Sequence, residues 1–340
     1  MKFIRYEKNP ILTPKKSNEW ESLCVLNPAV IFNEKDQSFY MFYRCAGNDK
    51  KHTISMGLAI SKDGINFKRY SSKPILSGEE NGLDEGGIED PRIIKYNDYY
   101  YLTYASRVFH PGQYWKANQR NFGFCPKDGP KALQNNNTLT HLAISKDLIH
   151  FKKLGPITDP RFDDRDVMIF PEKINGKFWM VSRGIERTSS NDKIYKNKKP
   201  AIFISSSNDM MRFENYELLF EGKEDWESAK IGASIPPLKT KDGYVLVYHG
   251  VSEKDRNYRI GAVILDLKDP KKVLYRTKHY LFEPKEKFET EGYYCGCVFP
   301  TSIVNRNGKL FIYYGAGDKV IGLCFADLKE LVKFIKEDSK

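Results

Sequence analysis

What this chain lacks narrows its class before anything it contains. No segment approaches the roughly 20 consecutive apolar residues that a bilayer-spanning helix needs. Residues 1–14 carry scattered Lys and Arg but no apolar run of the kind a secretion signal requires. The expectation is a cytoplasmic protein with no membrane partner. Cysteine is sparse, with six at positions 24, 45, 125, 295, 297 and 324. Only Cys295 and Cys297 lie close together, and neither a disulfide framework nor a zinc spacing is present. Reduced structural thiols and no metal are expected. The basic residues, 55 Lys and Arg against 44 Asp and Glu, are dispersed. They form neither a recognition helix nor an aromatic-basic RNA motif, so no nucleic-acid partner is expected. The net charge of +11 reads as a solvated surface whose field also favours an anionic substrate.

What the chain has in quantity is strand-forming bulk. Hydrophobic residues are 40% and aromatics 14%, which excludes a disordered chain and suits a large β core. That bulk repeats. Each unit opens on an apolar strand, turns through Asn, Asp, Gly or Lys, and returns as an aromatic strand, with further strands outside. The openings are Asn27-Pro28-Ala29-Val30, Asp90-Pro91-Arg92-Ile93, Asp166-Val167-Met168-Ile169, Ile231 to Leu238, and Val298 to Val304. Gly57 to Asp63 and His141 to Asp147 fill the same place in the first two units.

Asn175-Gly176, Asp242-Gly243 and Asn307-Gly308 read as hairpin turns, because a tight turn matching strand twist needs positive φ at its centre. Five antiparallel meanders predict an all-β, five-bladed β-propeller over residues 1–340 as one domain. A β-sandwich uses similar strands but does not predict five equivalent hairpins. A long insertion at about 107–137 interrupts the second unit and is expected to form a lid or rim over a site. Residues 327–340 place Leu328, Leu331, Val332 and Ile335 on one face of a short C-terminal helix.

In an antiparallel hairpin, the start of the first strand and the end of the second share one sheet edge. The starts carry Asn27, Asp90, Arg92, Arg165, Asp166, Lys230, Ser234 and Thr301; the ends carry Arg44, Ser106, Arg183, His249 and Asp318. Closure of five blades brings these to one mouth of the central channel. One Arg or His at a strand end is more often structural than functional, and it is the coincidence across units that argues for a site. Glu89-Asp90-Pro91-Arg92 is the sharpest feature: Gly86-Gly87 allows close backbone approach and Pro91 fixes φ, so Asp90 is presented rigidly. An Asp paired with Arg92 for structure alone is the competing reading of that motif.

From Asn27-Pro28-Ala29 through Gly87-Ile88-Glu89-Asp90-Pro91-Arg92, Phe170-Pro171-Glu172-Lys173, Ile235-Pro236-Pro237 and Tyr248-His249-Gly250 to Tyr313-Tyr314-Gly315-Ala316-Gly317-Asp318, the chain resembles glycoside hydrolase family 130, the mannoside phosphorylases and related β-mannosidases. The family's fold is a five-bladed propeller. The resemblance implies inverting phosphorolysis of a β-mannoside to α-mannose 1-phosphate, with Asp90 as general acid acting through a sugar hydroxyl. It implies phosphate binding by Arg165, Arg183, Lys230, His249 and Tyr258, and sugar binding by Arg44, Asp166 and Asp318. Asn27 and Arg92 are further substrate-binding candidates. No cofactor is expected beyond phosphate as co-substrate, and a homo-oligomer is a possible assembly.

The chemistry agrees with phosphate. An inverting hydrolase needs a second carboxylate to activate water, whereas phosphate held by cations is already a nucleophile. Arg gives paired hydrogen bonds to such an anion. Two alternatives stay open: an inverting β-mannosidase using Glu89, Asp166, Glu172 or Asp318 as base, and a non-catalytic carbohydrate-binding propeller. Tyr104, Tyr114 and Trp115 are candidates for stacking on sugar faces.

Overall fold

Short apolar strands joined by tight turns fold here into five antiparallel meanders set around an axis. The computed structural model describes residues 3–112, 136–159, 163–184 and 199–340. The first blade runs outward through β2 (Cys24–Asn33), β3 (Ser38–Ala46), β4 (Ile54–Ser61) and β5 (Lys68–Arg69). The second follows with β6 (Gly87–Tyr96), β7 (Tyr99–Arg107), β8 (Leu139–Ser145) and β9 (Lys152–Pro156). The third has β10 (Asp164–Ile169), β11 (Phe178–Gly184), β12 (Ala201–Ser207) and β13 (Glu214–Glu221).

In the fourth blade the inner strand is split into β14 (Lys230–Ala233) and β15 (Leu238–Thr240), both paired with β16 (Gly243–Val251), with β17 (Tyr258–Leu265) and β18 (Val273–Arg276) outside. Pro236 and Pro237 lie in the gap, where a residue without an N–H cannot join the ladder. The fifth blade joins β19 (Val298–Arg306), β20 (Lys309–Ala316) and β21 (Val320–Asp327) to β1 (Ile4–Arg5), so the start of the chain supplies the outer strand of the last blade and closes the ring. The repeat pattern did not anticipate this closure, because two residues are too few to show a period.

The expected turns are present, with one difference. Asn175-Gly176 and Asn307-Gly308 have positive φ at both residues, but at Asp242-Gly243 only the glycine does. Ser61, Ser145 and Ser207 each accept the N–H groups of the second and third residues on, and the Asp two residues on caps the next turn. In the fifth blade Asp327 caps the helix Leu328–Asp338 instead, accepting from Lys329 and Glu330. That helix buries Leu331, Val332 and Ile335 against the fourth and fifth blades, as its apolar face predicts.

Apolar clusters fill each gap between neighbouring blades. Four blades carry a further brace. Tyr43, Tyr104, Tyr248 and Tyr314 on the second strands donate to Glu21, Asp84, Glu227 and Glu289 at 3.0, 3.0, 2.6 and 2.8 Å. Each carboxylate is also gripped from the outermost strand, by Arg69, Lys153, Arg276 and Arg5 respectively. Buried carboxylates persist only when paired and hydrogen-bonded in this way. Gly57, Gly261 and Gly322 face three of the tyrosines across the ladder, where a Cβ would approach the ring to 2.2, 2.7 and 2.3 Å.

Candidate active site

Three inner strands begin with the same distortion. In β2, β6 and β10 two residues oppose one on the partner strand, and the first of each pair has left-handed φ: Asn27 at 46°, Asp90 at 48° and Asp166 at 52°. A bulge of this kind re-aims a side chain out of the sheet alternation. It turns these three polar groups toward the axis at one mouth of the channel. There they line a cavity of about 470 Å³ together with Arg44, Glu89, Arg107, Arg165, Arg183, Lys230, His249, Tyr258, Cys297, Phe299 and Asp318. Ten of the eleven residues assigned from sequence to catalysis, phosphate or sugar thus share one cleft, while Ser234 and Thr301, also expected at this mouth, are buried outside its lining.

Arg92 is the exception. It lies beneath the cleft, 3% exposed, where Nε donates to the Ser234 carbonyl at 2.7 Å and Nη1 to the carbonyls of Asp90 and Pro91 at 2.9 and 3.0 Å. Its guanidinium lies 5.3 Å from the centre of the Phe299 ring. It therefore fixes the backbone that presents Asp90 and ties the second blade to the fourth. Asp90 itself is not its side-chain partner: Oδ1 accepts from Asn27 at 2.7 Å and Arg44 at 3.1 Å.

Two other sequence expectations are corrected here. Ser106 turns into the blade, its hydroxyl 2.7 Å from His141 Nδ1, and the next residue, Arg107, reaches the cleft instead. Side chains alternate across a strand, so an error of one position exchanges the two faces. Tyr104 is fully buried, hydrogen-bonded to Asp84 and stacked on His141, so it offers no face to a sugar. Tyr114, Trp115 and most of the 107–137 insertion lie outside the described residues.

The side nearest Asp90, from the first, second and fifth blades, is a set of carboxylates among arginines. Glu89 contacts Arg44 at 3.0 Å and Arg107 at 3.4 Å. Burial works against its charge, but Arg44, Arg107 and Arg165 hold the carboxyl down to about 2. Asp318, in the turn after β20, is pushed upward by burial and by Asp90 against the pull of Arg44, and it accepts a weak bond from Cys297 Sγ at 3.7 Å.

The facing wall, from the third and fourth blades, is crowded with cations. Arg183 Nε binds Asp166 Oδ2 at 2.6 Å, and Arg165 binds Asp163 through two bonds of 2.7 and 2.8 Å. Gly232 permits this packing, since a Cβ there would come within 2.2 Å of Asp166 Oδ2. Lys230 hydrogen-bonds the Tyr258 hydroxyl. Burial and Arg183 bring its ammonium down to about 8, against the raising pull of Asp166. His249 stacks on Tyr258, packs edge-on to Phe299 and places Nδ1 3.2 Å from the Ser234 hydroxyl. Burial keeps its imidazole well below the usual range, only partly offset by Asp166. Burial would raise Asp166, but Arg183, His249 and Lys230 carry it below the carboxylate range. Burial first and Arg183 second disfavour the Lys230 charge, and a multiply charged oxyanion held on this wall would favour it.

Glu89, Arg107 and Cys297 were not singled out as ligands from sequence. Adjacency to Asp90 was the available signal for Glu89, and the last residue of β7 was the signal for Arg107. Glu172, considered earlier as a spare carboxylate, is bound to Lys239 and Tyr244 away from the cleft.

Known proteins with this architecture carry related activities. A 1,2-beta-oligomannan phosphorylase of a Thermoanaerobacter species is 34% identical over 97% of this chain and 99% of its own length. A beta-1,4-mannooligosaccharide phosphorylase of Ruminococcus albus is 28% identical over 98% of this chain and 91% of its own. The beta-1,2-mannobiose phosphorylase of Listeria innocua, solved with beta-1,2-mannobiose, superposes with a TM-score of 0.79 at 23% identity, covering 99% of this chain and all of that one. The family profile described as beta-1,4-mannooligosaccharide phosphorylase matches residues 2–337, and the chain belongs to glycoside hydrolase family 130.

Proposed function

We propose that this protein is an inverting β-mannoside phosphorylase that converts a β-1,2- or β-1,4-linked mannooligosaccharide and inorganic phosphate into α-mannose 1-phosphate and a chain one sugar shorter. The observation that carries this reading is the division of the cleft, with Asp90 on one side and, on the other, a wall of the cations Arg165, Arg183 and Lys230 beside the uncharged His249 imidazole. Phosphate on that wall attacks the anomeric carbon. The glycosidic carbon–oxygen bond breaks on the far side, and the leaving oxygen takes a proton from Asp90, through a sugar hydroxyl in the relay the family resemblance implies. The proton lost by Asp90 is balanced by the one that hydrogen phosphate gives up on becoming the ester.

Among the described residues both side-chain contacts of Asp90 fall on Oδ1, so Oδ2 is available to carry the proton. Asn27, Arg44 and Asp318 adjoin Asp90 on the sugar side of the cleft, and Asp166 serves chiefly to orient Arg183.

Hydrolysis on the same scaffold would need a free carboxylate opposite Asp90 to activate water. On that wall Asp166 and Asp163 are already neutralised by Arg183 and Arg165, which favours phosphate over water. The test is incubation with β-1,2- and β-1,4-linked mannosides with and without phosphate. Phosphate-dependent formation of mannose 1-phosphate supports the reading and identifies the linkage. Free mannose as the sole product, at a rate indifferent to phosphate, contradicts it.

A further inference from the structure

Inverting displacement fixes a direction across the cleft. Phosphate enters from the third and fourth blades, so the leaving sugar departs on the side of Asp90, whose carboxylate is held by Asn27 and Arg44 of the first blade. A chain leaving in that direction passes over the top of the first blade. A second pocket, of about 440 Å³, opens there.

The pocket is built on the strands that deliver the partners of Asp90. Glu19, Trp20 and Ser22 precede β2, which carries Asn27; Asn48 and Asp49 follow β3, which carries Arg44; Thr53 and Ser55 flank Ile54. Ile54 lines the catalytic cleft while its two neighbours line the pocket, so the strand forms a shared wall. The pocket is also preorganised. Trp20 Nε1 donates to the Ser72 carbonyl at 2.8 Å, which fixes the indole plane. Asp49 closes its turn by accepting from the Thr53 N–H and hydroxyl, each at 3.2 Å. A half-buried indole beside short hydroxyl, amide and carboxylate side chains offers both an apolar face and a polar edge, matching the two surfaces of a pyranose.

We propose that this pocket is an outer subsite for distal mannosyl units of the leaving chain, making Trp20 and Asn48 determinants of chain-length preference. The proposal rests on the phosphorylase reading above. Binding there touches no reacting atom, so it acts on the recruitment of long substrates and leaves the disaccharide unaffected.

The test measures KM and kcat for mannose 1-phosphate release from the di-, tri- and tetrasaccharide, together with calorimetric binding of the tetrasaccharide, in the wild type, Trp20→Ala and Asn48→Ala. KM for the tetrasaccharide is expected to rise several-fold in Trp20→Ala and less in Asn48→Ala, with the disaccharide unchanged in both. Because Trp20 also packs on the cluster between the fifth and first blades, Asn48→Ala decides the matter if Trp20→Ala lowers the melting temperature. An unchanged dependence on chain length overturns the subsite, as does an equal loss on the disaccharide. Absence of phosphate-dependent release from any disaccharide is the separate failure of the phosphorylase reading. In that case, equal tetrasaccharide affinity in wild type and variants overturns the subsite as well.

Discussion

The two sides of the cleft use one backbone device for opposite purposes. Asn27 and Asp90 on one side and Asp166 on the other sit at equivalent bulges with left-handed φ. Asp90 receives Asn27 and one arginine and stays 23% exposed, open to a substrate. Asp166 is buried beneath Arg183, with His249 Nε2 at 3.8 Å, and is consumed in holding cations. Position in the repeat therefore decides where a side chain points, and its neighbours decide whether it can move a proton.

The largest effect that would break this comparison is expected at Asp90. General acid catalysis contributes about 10²–10⁴ in rate, so Asp90→Asn should lower kcat by that order while phosphate still protects the enzyme against thermal unfolding. Loss of phosphate protection would mean that the two sides do not have separate tasks. Lys230→Ala should act the other way. A hydrogen bond to a charged group contributes about 1.5–3 kcal/mol, so KM for phosphate should rise roughly 10- to 150-fold, with kcat at saturation changing far less.

Arg92→Lys keeps a charge beneath the cleft but cannot grip the Asp90 and Pro91 carbonyls together with that of Ser234. Its kcat should fall more than either KM rises, by about tenfold, in steady-state measurements on folded protein. Equal changes in both constants would place Arg92 in substrate binding rather than positioning.

Titration sharpens the contrast with a smaller effect. Lys230 carries its charge below about pH 8 and loses it above, so affinity for phosphate should decline as pH rises through that value. Lys230→Ala, measured over the same range, should lack this step. Glu89 titrates at the other end: its folded pKa of about 2 lies below the ordinary 4.5. The stability it contributes is present above about 4.5 and is lost as pH falls toward 2. Acid unfolding of Glu89→Gln should lack this component, and an unchanged acid limb would show that Glu89 is not held by Arg44 and Arg107.

Much of the fold was legible because the propeller repeats its chemistry. The inner and second strands, the Asn-Gly turns and the amphipathic helix follow from period and turn residues. The closing strand Ile4–Arg5 was not legible, since its partner β21 lies at the other end of the sequence. Nor were the Tyr–carboxylate–cation braces, whose members come from three separate segments of a blade, as with Tyr248, Glu227 and Arg276. At the site, the bulge residues announced themselves through Asn27-Pro28 and Asp90-Pro91. Arg92 and Ser106 did not, because one bulge or one step of register decides whether a neighbour faces the channel or the interior.

The central claim, that cations on one wall deliver phosphate opposite an acid on the other, is tested most directly by the anomer formed in the first turnovers. Proton and phosphorus NMR of a β-mannoside cleaved in the presence of phosphate should show α-mannose 1-phosphate, formed only when phosphate is present. β-Mannose 1-phosphate, or free mannose released equally fast without phosphate, would contradict the account.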